Sequence, residues 1–247
     1  MPHPVALSGF STDPDRYESG RPGYPPEAVR FLIDSLSAGP GDLILDVGAG
    51  TGKLTRELTS TQAMIVALDP VEPMIRLVPA FAPGAYVTLG VAERLPVATA
   101  SVAAITAAQA FHWFDAELSW MEFARVLKPG GVVALMWNAR LREVEWVDRI
   151  WSLMDRLERT APWGDDDRPD RFTPRSDFSD LEKASFRHSV PMDEAAVVAR
   201  VMSVSRVAVL PAREQARVRR EISLILDDAD GPLEITYRTD VVVRRRS

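Results

Sequence analysis

Asp46-Val47-Gly48-Ala49-Gly50-Thr51-Gly52 sets an acidic side chain ahead of glycines at every second position. Glycines at that density let backbone N–H groups come close to a ligand with no Cβ in the way. The apolar run Leu43-Ile44-Leu45 leads in, and a helical pattern leads out. Strand, turn and helix in that order bring the backbone of an α/β protein against a nucleoside-bearing cofactor. Asp69 ends a second apolar run, Met64–Leu68, about 20 residues past Gly48, where a carboxylate takes both ribose hydroxyls. A helix cap before Pro70 is the plainer use of Asp69. His112, Trp113 and Phe114 follow a fourth apolar run. They fall on the sheet edge where parallel α/β proteins hold ligands.

The spacing of the glycines bears on which cofactor is held. A dinucleotide fingerprint, G-x-G-x-x-G, needs glycine where Lys53 stands, and the third glycine here comes one residue early, at Gly52. The Asp46 carboxylate is badly placed for a pyrophosphate, because like charges repel. It suits a cofactor with an ammonium group. S-adenosylmethionine has one, together with a sulfonium and no phosphate.

These residues need a sheet to hold them. Pro25-Pro26 opens a helix in which Ala28, Phe31, Leu32 and Leu36 recur at helical spacing. Strands are expected at 42–47, 64–68, 85–89, 102–106 and 132–137, with a helix from the glycine turn to about residue 60 and another over 115–127. Lys128-Pro129-Gly130-Gly131 reads as the turn into the fifth strand. Alternating strands and helices predict an α/β fold, a Rossmann-like, doubly wound, seven-stranded sheet, mostly parallel with an antiparallel last strand. Beyond residue 140 the pattern gives a helix near 146–157, a Pro- and Asp-rich loop over 162–180 and a strand at 184–190. Helices near 193–208 and 212–227 and a β-branched tail, 233–243, follow. The expected organisation is an arm or lid over 1–25 and one domain over 26–247. That domain has its cofactor-binding core at 40–140 and helical, substrate-facing insertions over about 141–228.

The first motif matches [DE]-x-G-x-G-x-G, and the chain resembles the class I S-adenosylmethionine-dependent methyltransferases. Asp69-Pro70-Val71-Glu72-Pro73-Met74-Ile75 is similar to that family's D-x-S-x-x-M-L, although Val71 replaces its small polar residue. Gly90-Val91-Ala92-Glu93-Arg94-Leu95-Pro96 is similar to G-x-A-E-x-L-P. Ala108-Gln109-Ala110-Phe111-His112-Trp113-Phe114 resembles a segment of the branch that includes trans-aconitate methyltransferase. Tyr17 and Arg21-Pro22-Gly23-Tyr24-Pro25 resemble the start of the same branch. The resemblance implies a cofactor site of Tyr17, Arg21, Asp46, Gly48, Gly50, Gly52, Asp69, Met74, Ala92, Glu93 and Gln109. Met74 and Glu93 would serve the adenine, and Tyr17 and Arg21 the methionine carboxylate. It makes His112 a candidate base or substrate-orienting group, and Trp113 and Phe114 walls of the acceptor pocket. Asn138, at the end of the fifth strand, is a hydrogen-bonding guide. Core packing for Phe111 or Trp113 and helix capping for Asp115 are the bland alternatives.

The implied activity is transfer of a methyl group to a small-molecule acceptor by in-line displacement. A carboxylate acceptor would want arginines, for which Arg21, Arg140, Arg142 and Arg206 are candidates. A phenol or amine would bring in His112 or His188. An NAD-linked oxidoreductase and a non-catalytic S-adenosylmethionine-binding protein are the other readings. A net charge of −6 over 247 residues argues against a broad nucleic-acid face. With no cysteine, and with His3, His112 and His188 scattered, no metal site is expected. Neither a basic-then-apolar leader nor a long apolar run is present, so a cytoplasmic protein with no membrane partner is expected. Oligomeric state is not legible.

Overall fold

The computed structural model describes residues 20–158, 176–179 and 181–247. Tyr17, nearly all of the arm and most of the 162–180 loop lie outside the described residues. Helix α1 (Pro26–Leu36) starts at a proline, whose missing N–H costs nothing in a first turn. Seven strands follow in chain order. They are β1 (Leu43–Val47), β2 (Met64–Asp69), β3 (Tyr86–Leu89), β4 (Val102–Ala108), β5 (Leu127–Arg140), β6 (Glu182–Pro191) and β7 (Glu234–Arg245). They form one sheet in the order β3-β2-β1-β4-β5-β7-β6. The first five strands pair in parallel, and β7 is antiparallel to both β5 and β6.

Short helices α2 (Thr55–Leu58), α3 (Glu72–Ile75) and α4 (Val78–Phe81) and the longer α5 (Ala116–Val126) connect the parallel strands. The helix expected to run from the glycine turn to residue 60 is thus short, and a 3₁₀ turn, Thr59–Thr61, completes it. Strand β5 begins earlier than expected. Lys128–Gly131 lies along the last residues of the chain, Gly130 N–H donating to Arg246 O at 3.0 Å and Arg246 N–H to Gly131 O at 2.8 Å. Among the described residues, four helices come after β5: α6 (Glu145–Glu158), α7 (Glu194–Met202), α8 (Ser205–Ala208) and α9 (Ala212–Asp227). The pattern near 193–208 is therefore two helices rather than one. The span expected to be helical insertion also contains β6.

The strand alternation sorts apolar side chains onto two faces. Ile44, Ala104, Val132, Ala134 and Met136 join Leu32 and Leu36 of α1 on one side. Leu45, Ile105, Val133 and Leu135 join Trp120 and Phe123 of α5 on the other. A separate cluster lies under helices α6 to α9, built from Trp146, Val147, Ile150, Trp151, Val197, Val201, Val218 and Ile222, with Ile235 and Tyr237 of β7. These helices form a cap with its own core. No helix among the described residues is long and apolar enough to cross a membrane.

Candidate functional site

The strand order reverses between β1 and β4, and ligands of such sheets bind at that crevice, beyond the carboxyl ends of the strands. A cleft of about 1120 Å³ opens there. The glycine turn forms its floor. Gly48 and Gly50 have φ of 70° and 57°, a region that side chains with a Cβ enter only under strain. A Cβ on Gly48 would sit 2.5 Å from that of Ala110 and 3.2 Å from Phe114 Cζ. The turn is tied to the end of β2: Gly48 N–H donates to Leu68 O at 2.7 Å and Gly50 N–H to Asp69 Oδ2 at 2.9 Å.

Both carboxylates of the turn are held. Asp46 is 1 % exposed, and its oxygens accept from the hydroxyls of Thr55 at 2.6 Å and Thr106 at 2.9 Å. Burial still pushes its carboxyl up to about 6. Asp69 is also pushed up to about 6 by burial, against the pull of the N–H groups of Val71 (2.8 Å) and Gly50. Each Asp69 oxygen spends one acceptor site on the backbone and keeps another. That suits a diol whose two hydroxyls donate. With bare backbone at the turn, Met74 and Ala92 in the wall and two carboxylates, Asp46 and Asp69, beside the turn, the donor set fits an adenosine with an amino-acid end.

Of the residues expected from sequence, Arg21, Asp46, Gly48, Gly50, Asp69, Met74, Ala92, Glu93, Gln109, Trp113, Phe114 and Asn138 line this cleft. Gly52 does not line it; a Cβ there would meet Val78 Cγ2 at 3.2 Å, so this glycine packs the turn on α4. Glu93 Oε1 accepts from Asp115 N–H at 2.9 Å, and Asp115 caps α5 by accepting from Leu118 N–H at 3.1 Å. Phe111 is core, its ring 5.4 Å from Trp120. Gln109 turns the chain at the end of β4 with φ 55°, its side-chain amide donating to Asn138 O at 3.2 Å. Strain of this kind clusters at binding and catalytic sites. Asn138 Nδ2 donates to Gly23 O at 2.9 Å, and its Oδ1 accepts from Thr239 Oγ1 at 2.7 Å. It ties the arm to β7.

His112 is exposed, lies against Trp113 and does not line the cleft. In the 3₁₀ turn Phe111–Trp113, Phe111 goes into the core and Trp113 to the cleft, which sends the residue between them outward. His188 lies outside the cleft wall too. It stacks on Tyr237 at 5.6 Å, and burial lowers its pKa. Arg142 pairs with Asp148 and Asp155 at the surface, and Arg140 lies over the Trp151 ring at 4.7 Å. The side chain of Arg206 is outside the described residues.

The cap side of the cleft was not expected from sequence. Arg200 of α7 and Tyr237 of β7 line the cleft from the cap side, and Arg200 Nε donates to Tyr237 Oη at 3.3 Å. The available signal was a charge on the face of α7 that also carries Val197 and Val201. The arm meets the same helix: a Cβ on Gly20 would be 2.9 Å from Ala199 O, and an Arg21 Nη donates to Ser203 O at 3.5 Å.

A family model described as a methyltransferase domain matches residues 45–135. An uncharacterised methyltransferase of Mycobacterium tuberculosis is 34% identical over 217 residues, covering 88% of this chain and 85% of that protein. An uncharacterised methyltransferase of Schizosaccharomyces pombe is 31% identical over 218 residues, covering 88% and 86%. The solved structure of a putative type II methyltransferase from Anaeromyxobacter dehalogenans superposes with a TM-score of 0.67 at 26% identity, covering 91% of this chain and 97% of that one.

Proposed function

The chain belongs to the methyltransferase family and is an S-adenosylmethionine-dependent methyltransferase; from that premise we propose that its acceptor is a small molecule, methylated by in-line displacement. The observation that carries this reading is that many separate segments of the chain converge on one cleft. Arm residues Arg21, Pro22 and Tyr24 and cap residues Arg200 and Tyr237 stand across from the glycine turn. Walls from the arm, the ends of the strands, α7 and β7 converge on one cleft, where a polymer would need an open groove. The negative net charge likewise disfavours a nucleic-acid acceptor.

When bound, S-adenosylmethionine supplies a methyl group already activated on a sulfonium. The chain's own residues then bind and orient. Asp69 accepts the ribose hydroxyls. Met74 and Ala92 flank the base, with the Glu93 carboxylate at its edge. Asp46 holds the glycine turn through Thr55 and Thr106. Trp113 and Phe114 exclude water around the reacting carbon, and Gln109 and Asn138 fix the end of the cleft near β4 and β5. Alignment and a dry pocket are the main contributions such a protein makes to a displacement of this kind. No His lines the described cleft, so an acceptor needing no base, or one deprotonated in solution, fits best. The test is a methyl-transfer screen of fractionated cell extract with methyl-labelled cofactor. Label on a small molecule is the expected result. Label confined to protein or nucleic acid would end this reading.

A further inference from the structure

Arg200 is the one cleft-lining cation among the described residues that is both 4 % exposed and left with a guanidinium nitrogen, Nη1, that makes no hydrogen bond. An arginine stays protonated at every accessible pH. Burying that charge without an anion is strongly unfavourable, and folds keep such a group where something outside the chain completes it. Arg200 meets only two partners among the described residues. Nε donates to Tyr237 Oη, and the guanidinium lies 5.9 Å from the centre of the Trp151 ring. The three carboxylates in the cleft wall are engaged elsewhere: Asp46 by two threonine hydroxyls, Asp69 by two backbone N–H groups and Glu93 by Asp115 N–H.

The hydrogen bond to Tyr237 sets up a second donor. Because Tyr237 Oη accepts from Arg200 Nε, its own proton is left to donate away from the guanidinium. Nη1–H and the phenol O–H are thus two adjacent donors with no acceptor among the described residues, matched to the two oxygens of a carboxylate. We propose that Arg200 and Tyr237 form a subsite for a carboxylate of the acceptor. This rests on the small-molecule reading above and names the class of molecule.

A carboxylate is also present on the methionine end of the cofactor, and the sheet order separates the two sources. Asp69 and Glu93 follow β2 and β3, on one side of the β1/β4 reversal. The glycine turn and Gln109 stand at the reversal itself. Tyr237 is on β7, two strands beyond β4 on the opposite side. A cofactor whose nucleoside lies over β2 and β3 brings its amino-acid end to the reversal, next to Gln109, and leaves the β7 side for the acceptor.

The experiment uses the full chain and its Arg200→Met, Arg200→Lys and Tyr237→Phe variants. Calorimetry with S-adenosylhomocysteine and with 5′-methylthioadenosine, which lacks the amino-acid end, reads cofactor binding. The small-molecule fraction of cell extract, split on an anion exchanger, supplies acceptors for labelled methyl transfer. Acceptor activity is expected in the anion-retained fraction. Arg200→Met should raise the acceptor KM about 100-fold and Tyr237→Phe about tenfold, with kcat less affected. Affinity for both cofactor probes should stay within about twofold, which also shows that the variants are folded. Arg200→Lys should recover part of the loss, since it restores charge but not the fork. A fall in S-adenosylhomocysteine affinity alone, with methylthioadenosine unchanged, assigns Arg200 to the cofactor and overturns the proposal. Label on a small molecule from the uncharged fraction overturns it too and leaves the small-molecule reading standing. Label on macromolecules alone ends that reading instead.

Discussion

Gly48→Ala tests the glycine turn at its tightest point. The new methyl group would carry two costs. At φ 70° an L-residue gives up about 1–2 kcal/mol relative to glycine. Its Cβ would also stand 2.5 Å from Ala110 Cβ and 3.2 Å from Phe114 Cζ. Carbon atoms prefer roughly 3.5–4.0 Å, and overpacking of this kind costs about 1–3 kcal/mol. The sum is about 2–5 kcal/mol. In a chain of this size each kcal/mol moves Tm by about 2–4 °C, so a fall of roughly 10 °C is expected by differential scanning calorimetry. The second cost belongs to one neighbour. Gly48→Ala combined with Ala110→Gly removes the nearest contact and keeps the positive φ. The pair should therefore be more stable than the sum of the two single losses by about 1–2 kcal/mol. Cofactor binding reports the same strain: a displaced turn moves Gly50 N–H off Asp69 Oδ2, and S-adenosylhomocysteine should bind at least about tenfold more weakly to the single variant. Strictly additive losses in the pair would show that Ala110 is not what the new methyl group meets.

Asp69→Ala should weaken S-adenosylhomocysteine binding about 100-fold, the loss of two hydrogen bonds to a charged acceptor; unchanged affinity in calorimetry would take Asp69 off the ribose. The buried carboxylates predict opposite pH trends for stability and binding. Asp46 and Asp69 titrate near 6 in the fold and near 3.8 unfolded, so the folded chain holds more protons between those values. Their contribution to stability is full below about 3.8 and is lost as pH rises to about 6, on the order of 3 kcal/mol per group. Urea unfolding of Asp46→Asn should show a flatter pH slope than the parent over that window. The parent's cofactor affinity should fall as pH drops below about 6, when Asp69 takes up a proton; a flat affinity from pH 5 to 8 would contradict the ionised acceptor. His112→Ala should leave kcat within about twofold, because the side chain is exposed and off the cleft wall; a loss beyond tenfold in methyl transfer would put it back in the reaction.

The part of the cleft built from the ends of β1 to β4 was legible because its signals are local. Each strand end and the turn after it occupy a few consecutive residues, and parallel pairing brings all such ends to one edge. Asp46, Asp69, Glu93 and Gln109 needed no knowledge of long-range contacts. The cap side was not legible, since Arg200 and Tyr237 are 37 residues apart and meet only through packing of α7 on β7. Arg200 stands out in the sequence only as a charge among Val197 and Val201, whereas the arginines expected near a carboxylate were Arg21, Arg140, Arg142 and Arg206. The outward position of His112 was not legible because a 3₁₀ turn sends neighbouring side chains in different directions, and the motif does not say which one turns outward. Early termination of the helix after the glycine turn and the extra length of β5 come from tertiary pairing, which periodicity does not encode.

The cap's separate apolar core bears on how such a protein diversifies. Buried residues of α6 to α9 pack on one another and draw on the sheet through Ile235 and Tyr237. Substitutions in two clusters that share few contacts have nearly independent effects. On the proposed reading, drift in the cap can therefore remodel what is methylated while the residues proposed to hold the cofactor stay as they are. Tyr237 is the exception, because it belongs to the cap's core and to the cleft wall at once. It is the position at which a change of substrate would be paired with compensating changes nearby.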